Sequence, residues 1–248
     1  MDLPARPPLS RYEDVARLID HSLVRPELTG QQVVDGIELA KRYRVASVSV
    51  RPCDIDTAVR LLDGSGVAPG TVCGFPHGSP NTPTKVYEAR DVIRRGAREI
   101  DMVIAISRLL SREFQYVQTE LTQIAEACHA EGVILKVIIE NAYLTDELKI
   151  IACRCCERAG VDFVKTSTGF APSGYKLEDV VLMRRHLPES IGVKAASGLR
   201  TLARVIEAYE AGCTRVGATA TAAILDEWNE RLRTAAAAPL TAATGSEP

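Results

Sequence analysis

The chain has 248 residues, 46% of them apolar and 25% charged, with a formal net charge of -2, enough length for one large α/β domain with a substantial core. Near-neutral charge and only 12 aromatic residues exclude the basic, ring-studded surface of a nucleic-acid binder. No run reaches the roughly 18 to 20 uninterrupted apolar residues of a membrane span, and MDLPARPPLS lacks the apolar core of a signal peptide, so the reading is a cytoplasmic protein with neither nucleic acid nor membrane as a partner.

Residues 1–9, with Pro4, Pro7 and Pro8, read as an unstructured arm. From there one unit repeats: a short β-branched or apolar run, a turn, then an amphipathic stretch. The runs are LIDHSL (18–23), ASVSV (46–50), TVCGF (71–75), EIDMVI (99–104), VILKVIIE (133–140), VDFVKTS (161–167), IGVKAA (191–196) and TRVGA (214–218). Between them the spacing turns helical. In TPTKVYEARDVIRRGA the apolar positions are Val86, Ala89, Ile93 and Ala97, with Arg and Glu on the other face. Gly96, Gly132, Gly160 and Gly212 each stand shortly before a strand, where a helix ends on a left-handed residue. Eight such strands predict a single-domain (β/α)8 TIM barrel over 10–233. The small-residue segment 234–248 reads as a flexible tail.

Seven cysteines, at 53, 73, 128, 153, 155, 156 and 213, form no extracellular-looking framework. Cys153 and Cys156 make a CxxC, but no second pair accompanies it, and DELKIIACRCCERAG reads as a helix with buried thiols.

Of the 30 basic residues, 23 are Arg and only 7 are Lys, so each lysine in an apolar setting needs a reason. Three lie inside predicted strands: Lys136 in VILKVII, Lys165 in VDFVKTSTG and Lys194 in IGVKAASG. Strand side chains alternate faces. With Leu135, Val137, Ile139, Val164, Val193, Ile100 and Met102 facing the helices, all three lysines and Asp101 turn into the barrel. Desolvation and neighbouring ammonium groups both disfavour a protonated lysine, so at least one pKa should fall. A neutral lysine amine attacks carbonyls to give a Schiff base; the structural alternative is ion pairing with Asp101 and Glu140. The stretches VKAASGLRT and TRVGATA run from a strand through small residues into a helix, which offers backbone N–H groups to an anion, and STGFAPSG is a third such loop. His21 and His77, with Asp20, are too few for a metal site. GSGVAPG runs from helix to strand, the reverse of a dinucleotide fingerprint.

Together, IDHSLVRPELT, GFPHG, EIDMVI, LKVIIE, DFVKTSTGF, GVKAASGLRT and RVGATA resemble the deoxyribose-phosphate aldolase family, from about residue 18 to about residue 226. The resemblance implies a cofactor-free, metal-free Schiff-base lyase on a (β/α)8 barrel that reversibly cleaves 2-deoxy-D-ribose 5-phosphate to acetaldehyde and D-glyceraldehyde 3-phosphate. Lys165 would form the imine, Lys194 would lower its pKa, and Asp101 would orient water and relay protons. Phosphate would be held by Gly169, Ser197, Gly198, Gly217, Ala218 and Thr219, with Asp20 and Ser22 near the substrate and the Thr168 hydroxyl beside the imine. The partners implied are a small-molecule sugar phosphate and aldehydes, and the assembly a homodimer.

Four departures stand out. Ser49 replaces a pocket cysteine common in the family, Ser197-Gly198 replaces paired glycines, Ala105 replaces an asparagine after Ile104, and no tyrosine follows Tyr209. They keep open a related lysine-dependent aldolase with a different phosphorylated or unphosphorylated aldehyde. A metal-dependent aldolase and a non-catalytic sugar-phosphate binder are the readings from other classes; amines buried within strands argue against the second.

Overall fold

The computed structural model describes residues 6–237. A short α1 (Tyr12–Ala16) precedes eight strands: β1 (Ile19–Leu23), β2 (Ser47–Val50), β3 (Ala68–Cys73), β4 (Glu99–Val103), β5 (Ile134–Ile138), β6 (Phe163–Lys165), β7 (Gly192–Ala196) and β8 (Arg215–Ala218). Helices connect them: α2 (Gly30–Arg42), α3 (Ile55–Leu62), α4 (Thr82–Arg94), α5 (Ile106–Leu110), α6 (Phe114–His129), α7 (Asp146–Ala159), α8 (Leu177–Arg185) and α9 (Leu202–Glu210), with α10 (Thr221–Ala237) last. All neighbouring strands pair in parallel, and β8 closes on β1 through Ile19 opposite Val216 and Asp20 opposite Gly217. This is the (β/α)8 barrel that the eight-fold repeat predicts. No helix among the described residues is long and apolar enough to cross a membrane.

The outward strand faces carry the apolar core: Ile100, Met102, Leu135, Val137, Val164 and Val193 are buried against the helices. Helix ends follow local chemistry. Thr145 caps α7 by accepting from the Leu148 N–H, and Asn81 caps α4 by accepting from the Thr84 N–H, each worth about 1 kcal/mol. Gly96, Gly132, Gly160 and Gly212 adopt the positive φ expected after a helix. Helix α7 buries Cys153, Cys155 and Cys156, and burial raises the pKa of the Cys153 thiol to about 12.

Several boundaries shift from the sequence reading. Strand β3 starts at Ala68 rather than 71, and β6 is confined to Phe163–Lys165 within the expected 161–167. Residues 6–9, assigned to the arm, dock on the barrel: Tyr209 OH donates to the Pro7 carbonyl at 2.9 Å, and Leu9 packs on the core. Residues 234–237, assigned to the tail, continue α10; the rest of the arm and tail, 1–5 and 238–248, lies outside the described residues.

The buried face of α4 is also rotated from the predicted one. Thr82, Lys85, Ala89 and Val92 are inside, whereas Val86 and Ile93 are half-buried. Lys85 can occupy the interior because its ammonium meets Glu120 of α6 at 2.9 Å and donates to the Val103 carbonyl at 2.7 Å, with both side chains fully buried. The other Glu120 oxygen accepts the Ala105 N–H at 2.9 Å. Lys85→Met strands the Glu120 carboxylate, and breaking a buried pair in this way costs about 3–5 kcal/mol. A urea unfolding midpoint lowered accordingly is the expected result, against a change below about 0.5 kcal/mol for the exposed control Arg94→Ala.

Candidate active site

Strand register assembles the interior charges. Asp101 of β4 lies opposite Lys136 of β5, Lys165 of β6 opposite Lys194 of β7, and Lys194 opposite Arg215 of β8. One oxygen of Asp101 accepts from Lys165 Nζ at 2.6 Å and from Lys194 Nζ at 2.7 Å, while the other faces Lys136 Nζ at 3.2 Å. Below this, Asp20 of β1 meets Lys136 at 3.1 Å and Lys194 at 2.5 Å and also pairs with Arg215. Glu99 of β4 pairs with Lys136 and, at 3.0 Å, with Arg215. Ser47 donates to Asp20 at 2.7 Å.

Three carboxylates therefore face four cations, and the groups respond unequally. Burial would push the Asp101 carboxyl up, but Lys136, Lys165 and Lys194 together hold it well below the usual carboxylate range. Burial would likewise depress Lys136, yet Asp101, Asp20 and Glu99 surround it and raise its pKa. Lys165 goes the other way. Desolvation and the Lys194 ammonium outweigh the pull of Asp101 and bring its amine down to about 8. Of the three strand lysines, Lys136 is 0% exposed and sealed beneath the site, whereas Lys165 is 7% exposed and opens onto a cavity. A lysine with a readily lost proton, facing solvent-sized space, is equipped to add to a carbonyl.

The cavity, about 480 Å³, sits at the C-terminal mouth of the strands. The catalytic candidates Lys165 and Lys194 border it, as do Asp20, Ser22 and Thr168; Asp101 lies under the two lysines it pairs with. Gly169, Ser197, Gly198, Gly217, Ala218 and Thr219 line the same space. At Gly217 a Cβ would stand 3.2 Å from that of Ala196 and 3.7 Å from Lys194 Cε, so a side chain there would press on the buried lysine. Ser197 takes a left-handed φ of 72°, unusual for a residue with a Cβ. Helix α10 starts at Thr221, two residues beyond Thr219 of this wall, which puts its positive N-terminal end close to the cavity in sequence. The loop after β6 differs from the expected strand-to-helix junction: it runs over 166–176 before α8, so it offers backbone groups without a helix end.

The cavity residues that the sequence did not assign as binding groups include Arg25, Phe170 and Arg200, together with Ser49, which the sequence marked only as a departure from the family. Arg25, Phe170 and Arg200 lie in the loops after β1, β6 and β7, and Ser49 lies within β2; position near a strand's C-terminal end is the signal that could have found them. Arg25 stacks 5.2 Å from the Phe170 ring centroid, and Phe170 meets Phe75 edge-on at 5.4 Å. The buried Ser49 hydroxyl has no hydrogen-bond partner among the described residues and borders the cavity. His21 is not at a strand end but within β1, where it turns outward and its Nδ1 lies 2.8 Å from Thr221 Oγ1; burial lowers its pKa to about 4. His77 is exposed in the loop after β3. The two lysine-partner carboxylates proposed from sequence also separate: Asp101 binds the lysines, whereas Glu140 bonds to Thr168.

The family described as DeoC/LacD family aldolase matches residues 15–228. The chain belongs to this family. It is 43% identical over 219 residues to the deoxyribose-phosphate aldolase of Caldanaerobacter subterraneus subsp. tengcongensis, covering 88% of this chain and 95% of that protein. It is 44% identical over 222 residues to that of Rhodopirellula baltica, covering 90% and 92%. Among solved structures, the tetrameric deoxyribose phosphate aldolase of Aeropyrum pernix superposes with a TM-score of 0.83 at 29% identity, covering 90% of this chain and 94% of that one. The aldolase QR15 gives 0.84 at 34% identity, covering 89% and 98%.

Since the neutral amine is the nucleophile, imine formation with an aldehyde is expected to be slow below the Lys165 pKa, to rise as pH passes about 8, and to level off above it. Lys194→Leu removes the ammonium that opposes protonation of Lys165. The midpoint of that profile, measured by borohydride trapping across pH, is then expected to move upward.

Proposed function

We propose that the protein is a Schiff-base aldolase that reversibly cleaves 2-deoxy-D-ribose 5-phosphate to acetaldehyde and D-glyceraldehyde 3-phosphate. The observation that carries this reading is the Lys165 amine, lowered to about 8 and held 2.6 Å from Asp101 at the floor of the cavity. Lys165 Nζ adds to the C1 carbonyl and water leaves, giving a protonated imine. As the C3 hydroxyl gives up its proton, the C2–C3 electrons flow into the iminium and release glyceraldehyde 3-phosphate. The enamine left on Lys165 is protonated at C2 and hydrolysed to acetaldehyde. The iminium nitrogen is itself the electron sink, so this chemistry calls for no cofactor and no metal.

Asp101 and Lys194 support the protonation steps through their direct bonds in the lysine cluster. Phosphate suits the far wall, where Gly169, Ser197, Gly198, Gly217, Ala218 and Thr219 present backbone near the α10 N-terminus and Arg25 and Arg200 add charge. Asp20 fixes Lys194 from below, and Ser22 and Thr168 flank the sugar. Seven free thiols, six of them buried, support a reducing, cytoplasmic setting; a homodimer is the assembly proposed with it.

Borohydride reduction in the presence of substrate, followed by peptide mass analysis, is expected to place the adduct on Lys165. Lys165→Arg is expected to lose both adduct and turnover, because a guanidinium stays protonated. An adduct on another residue, or an active protein that yields none, would overturn the assignment.

A further inference from the structure

Glu140 is buried at 1% exposure just past the end of β5, and its backbone is left-handed, with φ 53° and ψ 70°. A residue with a Cβ adopts that conformation only where its surroundings compel it. Here they do: the Ile139 N–H donates to the Lys165 carbonyl at 3.0 Å and the Asn141 N–H to the Thr166 carbonyl at 2.9 Å. Both bonds tie β5 to the segment that carries the imine-forming lysine, and Glu140, between them, is turned toward β6. Its carboxylate accepts the Thr168 N–H at 3.1 Å and the Thr168 hydroxyl proton. Among the described residues it forms no salt bridge; the charged side chain acting on it is Lys165.

The Thr168 hydroxyl is thereby oriented. Its proton points to Glu140, one lone pair accepts the Phe170 N–H at 3.1 Å, and the remaining lone pair is left for the cavity that Thr168 lines. Toward a substrate, Thr168 is an acceptor. It stands between Lys165, where C1 would be held, and Gly169 on the phosphate wall, so the substrate group it meets is a hydroxyl on the intervening carbons.

Resting on the aldolase reading above, we propose that Glu140, acting through the Thr168 hydroxyl, takes up the proton that the substrate's C3 hydroxyl releases as the C2–C3 bond breaks. The C3 hydroxyl proton passes to Thr168 Oγ1 while the Thr168 proton passes to a Glu140 oxygen. The C3–O pair becomes the aldehyde carbonyl, and the C2–C3 pair moves into the iminium to form the enamine. The proton returns to solvent through Thr168 after the aldehyde leaves. Asp101 is poorly suited to this step, since Lys165 and Lys194 occupy one of its oxygens and Lys136 faces the other. Burial raises the Glu140 carboxyl above its ordinary range, whereas the lysines hold Asp101 well below its own, so Glu140 is the stronger base of the two.

The test separates C–C cleavage from a reaction at the same imine that involves no C3 hydroxyl: exchange of acetaldehyde methyl hydrogens with D2O. For Glu140→Gln, which still accepts from Thr168 but takes up no proton, kcat for 2-deoxy-D-ribose 5-phosphate is expected to fall on the order of 10²-fold or more, with KM and the exchange rate within about threefold of the parent. Thr168→Val is expected to lose cleavage at least as far relative to exchange, with a raised KM because a sugar contact is also removed, and the double variant to be no slower than Thr168→Val alone. Cleavage by Glu140→Gln within about threefold of the parent overturns the relay. So does a parallel loss of cleavage and exchange in both variants, which marks a structural role. If the parent protein itself neither cleaves the sugar phosphate nor exchanges acetaldehyde, the aldolase reading fails first and takes this inference with it.

Discussion

The Asp101 carboxylate is the point on which the barrel interior turns. One of its oxygens holds two lysine amines and the other faces a third. Burying a charge without partners costs several kcal/mol, so such a cluster persists only when its members neutralise one another. Asp20, Glu99 and Asp101 stand against Lys136, Lys165, Lys194 and Arg215, one cation too many. The excess is relieved where desolvation is strong and carboxylate support is thinnest. Lys136 touches three carboxylates, and Lys165 touches one. The lowered pKa of Lys165 is thus a by-product of charge balance in a dry barrel.

The rest of the scaffold serves to hold this cluster at one end of an otherwise apolar shell. Outward faces of the strands pack on helices, and the one fully buried lysine outside the barrel, Lys85, is matched to Glu120 across α4 and α6. That pair anchors the carbonyl of Val103 and the N–H of Ala105, the residues that follow Asp101 out of β4. At the end of the adjacent strand β5, Glu140 and the backbone bonds around it fix the segment leaving β6. Asp101 and the segment that carries Lys165 are therefore each held by a buried carboxylate just past a strand end, the kind of placement that the proposed imine chemistry requires.

The scarcity of lysine has a fuller meaning in three dimensions. Five of the seven, Lys85, Lys136, Lys149, Lys165 and Lys194, are buried, and every one of them reaches a carboxylate. Arginine supplies the generic surface charge, and a flexible single-point ammonium is kept for interior positions. Strand alternation read three of these from sequence, because period two is a local property of an extended chain. The same alternation applies to Glu99 and Arg215, but nothing local says whom they meet. Lys85 was hidden for another reason: helical periodicity weighs apolar residues, and Val86 and Ile93 mark a face adjacent to the one actually buried.

By itself the sequence determined the eight-fold strand and helix pattern, the inward turn of Lys136, Lys165, Lys194 and Asp101, and the motif segments that place the chain in its family. These follow from short-range stereochemistry and from residue types that have no substitute in the chemistry. Only the tertiary structure decided which lysine has its pKa lowered, that Arg215 of β8 reaches Asp20 of β1 across 195 residues of sequence, and that Glu140 leaves the lysines to bind Thr168. A pKa is set by burial and by charges within a few ångströms, and here those charges come from strands that meet only when the barrel closes.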